Sequence, residues 1–311
     1  MGGEMMAILF FILVVVFMPF ISAGVIVRVK SLWAGRRGQP VMQPLYDFMK
    51  YMSKGMVVSV TTTPVFFAAQ AVSCGAVLAA SCLVPICSQA PIIDIEGGFI
   101  IFAYLFGLSK FISLVSAMDT GSSFEGMGAS REASFTAFIE PAFFVIMATA
   151  AAVSGKGSFS SLAAFAASGT PAGYMIACLA AAALLVMILT EGSRVPVDDP
   201  ATHLELTMIH EAMILDNSGP DMALVIYTQN LKTVLLSALI ALLFLPAGSS
   251  ALFSLCVLVC VILAVAVTTG CIESLMARLR MTHVPQFVFF MSSIAAIIMC
   301  AAFIFMSGGA R

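Results

Sequence analysis

Charge is scarce in this sequence: 10% of its 311 residues are Asp, Glu, Lys or Arg, against 61% that are hydrophobic. So little charge excludes a water-soluble globular domain, whose charged share is about 25%. Histidine is rarer still, at three, and His203 and His210 stand seven residues apart. That spacing shares a helical face but misses the interval of three or four residues that ligands on adjacent turns use, so no metal centre is expected. The eight cysteines include no C-x-x-C pair and lie in or beside apolar runs; they read as packing residues, and an iron-sulfur cluster held by this chain is excluded. A phosphate-cradling glycine pattern is missing, and a net charge of -2 argues against a nucleic-acid partner. Period-2 alternation is also missing, which excludes a membrane β-barrel. Glu4 stands where a signal peptide carries basic residues, so the first apolar run is expected to stay in the mature protein.

What remains is apolar sequence in long runs. About 20 residues cross the hydrocarbon core of a bilayer, and such runs lie near residues 5–27, 64–87, 98–118, 134–153, 172–190, 231–247, 251–272 and 284–306. In lipid every backbone polar group must be satisfied within the segment, so the runs are predicted to be helices. The expected fold is an all-α polytopic membrane protein forming one domain over 1–311, with about eight spans and short amphipathic helices in its cytoplasmic loops. The sixth and seventh runs are separated only by "PAGSS", so the count depends on that break. Most Lys and Arg fall in alternate loops: Arg28, Lys30, Arg36, Arg37, Lys50 and Lys54 in 28–63, Arg131 in 119–133, Arg194 in 191–230, and Arg278 and Arg280 before the last run. The positive-inside rule places these loops in the cytoplasm and both termini on the periplasmic or outer side of a prokaryotic inner membrane.

An acid or Lys inside a span costs on the order of 2.5–3.5 kcal/mol and needs a partner or a wet cavity. Lys110 and Glu140 meet that description, each roughly 10 Å deep at 1.5 Å per residue in antiparallel spans. They are expected to face each other or to share one cavity, either for proton movement or as a structural ion pair. The third cytoplasmic loop gathers more ionisable groups: "EGSRVPVDDPATHLELTMIHE", residues 191–211, contains Glu191, Arg194, Asp198, Asp199, His203, Glu205, His210 and Glu211. Asp199 before Pro200 suits the start of a helix of about 14 residues. On that helix His203, Thr207 and His210 share one face and Glu205 points elsewhere. In the first loop "QPLYDFMKYMSKGM" places Leu45, Met49, Met52 and Met56 at helical spacing opposite Asp47, Lys50 and Lys54. This predicts an amphipathic helix in the headgroup plane that anchors the loop, roofs a cavity or docks a peripheral subunit.

Four stretches together carry a family resemblance: "RRGQPVMQPLYDFMK", "MDTGSSFEGMGASREA", "IEP" at Glu140, and "EGSRVPVDDPATHLELTMIHEAM". In these the chain resembles the subunit 1 family of respiratory NADH:quinone oxidoreductase (complex I). It is more similar still to the counterparts of that subunit in membrane-bound nickel-iron hydrogenases, such as formate hydrogenlyase and energy-converting hydrogenases. The resemblance implies a heel of a membrane arm. It would dock peripheral large and small hydrogenase-like subunits, which carry the iron-sulfur and nickel-iron centres, beside antiporter-like membrane subunits in the lipid bilayer. Matched to the family's motifs are Arg37, Gly38, Gln43 and Asp47 in the first loop, Arg131 in the second, Glu140 in the fourth span, and Glu191, Arg194, Pro196, Asp198 and Glu205 in the third loop. With these, Arg36, Lys50 and His210 are expected at the docking face or cavity, and Lys110, Glu132, His203 and Glu211 join the acids as proton-relay candidates.

One departure bears on the ligand. The complex I pattern has an acid-rich run where this chain reads Ala201, His203 and Glu205, so two carboxylates are missing. Quinone, which the resemblance would allow, is thereby disfavoured, and no cofactor is expected on this chain itself. His203 stands either as a relay group or as a residue fixing loop geometry. Two other classes compete: a stand-alone secondary transporter, which internal repeats would mark and which this sequence does not show, and a passive anchor, which has no use for Lys110 and Glu140 in the membrane.

Overall fold

The computed structural model describes residues 2–86, 91–155, 157–162, 171–198, 209–245, 250–277, 279 and 283–308. Among them the regular elements are helical. Eight are long and apolar enough to span a membrane: α1 (Gly2–Trp33), α3 (Pro64–Ser81), α4 (Gly98–Asp119), α5 (Ser123–Ser154), α6 (Pro171–Glu191), α8 (Pro220–Phe244), α9 (Ala251–Leu275) and α10 (Val284–Gly308). Two shorter helices lie in loops, α2 (Gln43–Met52) and the single turn α7 (His210–Met213). The sixth and seventh runs are separate helices, as the break at "PAGSS" requires, and the chain is an all-α, multi-pass membrane protein.

Local chemistry sets the helix starts. Pro64 and Pro220 occupy first-turn positions, where a missing N–H costs nothing. The Thr63 hydroxyl caps α3 by accepting from the Val65 N–H, and its own N–H and hydroxyl donate to Asp119 at the end of α4. That pair pins the start of one span to the end of the next.

Two spans begin earlier than the apolar runs do. α5 starts at Ser123 and α8 at Pro220, not near 134 and 231, so the second loop shrinks to 120–122 and the third ends at Gly219. The added turns carry Glu125, Arg131, Glu132, Asp221 and Asn230, which interrupt an apolar window; of these Glu125, Glu132, Asp221 and Asn230 are buried against protein, as is Lys232 just inside the sixth run.

α8 is the central element, packed by α1, α2, α3, α6 and α9. Its Leu231, Val234, Leu235, Leu236, Leu239 and Leu243 are almost wholly buried. From α8 a ring closes through α3, α4, α5, α10 and α6 back to α8, while α1 and α9 pack outside it. The interior of this ring holds the ionisable groups described below.

Packing of the third loop onto the ring is close. A Cβ built at Gly128 of α5 would lie 2.8 Å from the carbonyl oxygen of Ile209 and 3.1 Å from the Cβ of Ala212. Gly128→Ala is therefore expected to push the 209–213 segment off α5 at a cost of about 1–3 kcal/mol, read as a lower thermal midpoint of the detergent-solubilised protein.

The first-loop helix forms where the pattern predicts. Phe48 turns inward against Phe20 of α1 and Tyr227 of α8, with ring centroids 5.2 and 5.9 Å away. Met49, Met52 and Met56, expected on an apolar face in the headgroup plane, are exposed on the protein surface.

Candidate functional site

Four buried charges meet inside the ring, each supplied by a different helix. Lys110 of α4 donates to Glu132 Oε1 of α5 at 2.5 Å and to the Thr136 hydroxyl at 3.0 Å, and pairs with Glu191 Oε1 at 3.0 Å. Lys232 of α8 approaches the other carboxylate oxygen of Glu191 at 4.0 Å and lies 5.6 Å from the ring centre of Phe106. Glu191, the last residue of α6, is thus shared by two lysines. All four residues are buried, and their formal charges sum to zero. A cluster of this kind is insulated from solvent and can change partners without creating net charge in a low dielectric.

The cluster borders a chain of cavities. The largest, about 250 Å³, is lined by Asp47, Tyr51, Arg194, Asp198, His210 and Glu211 among others. His210 and Gln229 are shared with a second cavity of about 40 Å³, which also borders Lys110, Glu132, Glu191 and Lys232. At about 10–15 Å³ per water that volume has room for about three. Lys110 and Glu191 in turn line a third void, about 20 Å³, against which Glu140 stands. Polar side chains therefore run from the loop-lined cavity through the ion cluster to Glu140.

Lys110 and Glu140 share a cavity but do not pair. The direct partners of Lys110 are Glu132 and Glu191, because the extension of α5 puts Glu132, Thr136 and Glu140 on successive turns facing α4. Glu140 lies one turn deeper, its Oε1 3.3 Å from the point where a Cβ at Gly107 would stand. The next residue, Pro141, donates no N–H, so the helix at Glu140 lacks one internal bond.

The loop residues have distinct places. Asp198 Oδ2 accepts the N–H groups of Ile209 and His210 at 3.1 and 3.0 Å, closing the loop base. Gln43 donates to Asp47 at 2.9 Å along α2. Arg36, Arg37 and Lys50 are exposed on the first loop and Arg131 is half-buried on α5. His203 and Glu205, and most of the helix expected after Pro200, lie outside the described residues. Among the described residues no group of three or more His, Cys, Asp and Glu is placed to hold a metal ion.

A family model described as NADH dehydrogenase matches residues 4–304. The chain belongs to this family. Within it, the chain is similar to formate hydrogenlyase subunit 4 of Escherichia coli (strain K12), 26% identical over 286 residues that cover 86% of this chain and 92% of that protein. It is similar also to hydrogenase-4 component C of the same organism, 25% identical over 283 residues covering 88% of each. Its fold matches a chain of the membrane-bound sulfane sulfur reductase, an archaeal respiratory membrane complex. The TM-score is 0.79 at 21% identity, over 97% of this chain and all of that one.

For this NADH dehydrogenase family member, three ionisable residues escape a sequence reading. Lys232 lies one residue past the start of the sixth apolar run and was attributable to its edge; the helix begins twelve residues earlier, which carries Lys232 into the ring. Glu273 follows the seventh run and is wholly buried between Lys30 Nζ at 2.7 Å and Arg194 Nη1 at 3.4 Å. Glu125, in the first turn of α5, accepts the Asp216 N–H at 3.1 Å. For Lys232 and Glu273 the available signal was an acid or Lys within one helical turn of the edge of an apolar run; Glu125, nine residues before the fourth run, carried no such signal.

His210 joins the two larger cavities, and its Nε2 is enclosed with no hydrogen-bond partner. Burial pushes its imidazole below the ordinary histidine pKa, against the opposing pull of Glu132 and Asp198 and with the help of Lys110 and Lys232. The neutral ring is therefore favoured in the folded chain. Below about pH 6.5 the unfolded chain takes up a proton that the folded one does not, so stability falls as pH falls through that value. Between pH 7.5 and 5.5 the wild-type thermal midpoint should drop further than that of His210→Gln; equal drops would mean that His210 does not contribute.

Proposed function

We propose that this chain is a membrane-arm subunit of a multisubunit redox-driven ion pump. In this reading its cytoplasmic loops dock a peripheral arm of the nickel-iron hydrogenase type, whose large and small subunits hold the nickel-iron and iron-sulfur centres. Its interior relays protons, or the coupling they drive, toward antiporter-like subunits in the same inner membrane. The observation that carries the reading is the buried Lys110–Glu132–Glu191–Lys232 cluster between a loop-lined cavity and Glu140. Buried ion pairs are weak devices for stability, and four buried charges inside a membrane protein mark a working path by default. The likeness to hydrogenase and formate hydrogenlyase subunits supports the same assignment.

The chemistry assigned to the residues is limited. Asp47, Asp198, His210 and Glu211 border the cavity that faces the loops, where a proton released near the peripheral arm would arrive. Neutral His210 accepts it and passes it by way of the small hydrated cavity to Glu132 or Glu191. Lys110, bonded to both carboxylates, redistributes charge between them, and Glu140 receives the proton beyond. Quinone does not fit well: about 250 Å³ is below the roughly 300–1,000 Å³ of small-molecule sites, and three carboxylates border it. No step is assigned to a quinone.

The test uses the tagged chain in its own membrane. Mild extraction should co-purify large and small hydrogenase-like subunits with nickel, and the assembly should evolve hydrogen from a reduced low-potential donor. In vesicles, Glu140→Gln should keep electron transfer within about threefold and cut proton uptake by at least about tenfold, roughly 1.4 kcal/mol. Full coupling in that variant would remove the relay, and a chain that purifies alone and transports a solute would replace the whole reading.

A further inference from the structure

Glu273 is placed where a carboxylate is locally unfavourable. It lies in the last turn of α9, which ends at Leu275, and the partial negative charge of a helix C-terminus disfavours an acid there. Its side chain is nevertheless wholly buried, and both oxygens face cations from elsewhere. Lys30, in the last turn of α1, reaches Oε2 at 2.7 Å, and Arg194, from the third loop, reaches Oε1 at 3.4 Å.

Three further contacts bring the same elements together. A Cβ at Gly270, one turn before Glu273, would lie 2.9 Å from Val29 Cβ and 3.1 Å from the Ile26 carbonyl, so only glycine allows α1 and α9 to close here. Beyond α9 the Leu279 N–H donates to the carbonyl of Pro196 at 3.0 Å. On the opposite side Gln229 of α8 donates to the Gly192 carbonyl at 3.0 Å. The segment 192–198 is therefore gripped from α8 at one end and from α9 at the other.

That segment follows Glu191 directly, and its Gly192, Ser193, Arg194 and Asp198 form one wall of the 250 Å³ cavity. From this geometry we infer that Glu273 is a positioning residue: through Arg194 it fastens the third loop to the α1–α9 seam, and so sets the cavity wall and the backbone that follows Glu191. Without the carboxylate, Lys30 and Arg194 repel each other and the guanidinium is free to turn into the cavity. The inference goes beyond the proton relay and does not need it, since the position of the loop is its readout.

Amide exchange by mass spectrometry on the complex purified through this chain reads that position. The N–H groups of Arg194, Val197 and Asp198 are bonded within the loop and to Leu189. In Glu273→Gln their exchange should rise by at least about tenfold, the signature of local opening, with no change in the buried turns of α8. Arg194→Gln should loosen the same amides equally, and the double variant should be no looser than either single one, as for two residues acting through one contact. Glu273→Asp keeps the charge and should restore protection to within about threefold of wild type. Unchanged exchange in Glu273→Gln or in Arg194→Gln, additive effects in the double variant, or an Asp variant as loose as the Gln variant would each overturn the assignment. If Glu273→Gln does not assemble, Arg194→Gln and Glu273→Asp decide it alone.

Discussion

Lys110→Met is expected to deplete the assembled protein more than any other single change in the membrane interior. It removes the cation between Glu132 and Glu191 and leaves the carboxylates of two buried residues, with Lys232 at 4.0 Å as the nearest remaining positive charge. Breaking a buried pair by deleting one partner costs about 3–5 kcal/mol, a large share of the roughly 5–15 kcal/mol that holds a typical domain folded. The chain should be recovered at a small fraction of wild-type level by immunoblot of membranes. A triple variant, Lys110→Met with Glu132→Gln and Glu191→Gln, should recover most of the loss, because neutral amides carry no unpaired charge. If Lys110→Met accumulates and assembles normally, the cluster is wetter or looser than its geometry indicates.

Glu191→Gln is expected to have the largest effect on coupling. Glu191 is the one acid of the cluster that both lysines approach, and it lines both voids between the loop cavity and Glu140. An amide of the same shape accepts a hydrogen bond but neither carries a proton nor holds two cations. Lys110 keeps Glu132 as a direct partner, whereas Lys232 keeps the face of Phe106 and a longer-range attraction to Glu132. In vesicles containing the whole complex, electron transfer should stay within about threefold while ion transport falls by at least about tenfold, near 1.4 kcal/mol of lost coupling. The discriminating observation is the ratio of ions moved to electrons transferred: a ratio equal to wild type in Glu191→Gln removes this residue from the path.

The residues differ in how legible they were. Lys110 and Glu140 stood out because each lies well inside an apolar run, where an ionisable group is conspicuous. Lys232 and Glu273 are as deeply buried, yet each lies within a helical turn of the edge of a run, where a hydropathy window reads a charge as the boundary. The helices continue through those residues because protein, not lipid, faces them. The α2 helix was legible from its spacing, but the inward packing of Phe48 was not, since it depends on Phe20 of α1 and Tyr227 of α8.

The sequence by itself determined the membrane class, the eight spans, their order and the gathering of charge in alternate loops. Those are sums over local residues: the transfer cost of a segment depends on its own composition, whatever it later packs against. Tertiary structure alone decided which charges meet. Lys110 finds its partners on α5 and α6, 22 residues away and farther, and Arg194 finds Glu273 79 residues away. Pairing energies of this kind depend on distance and burial in three dimensions, and neither is a property of spacing along the chain.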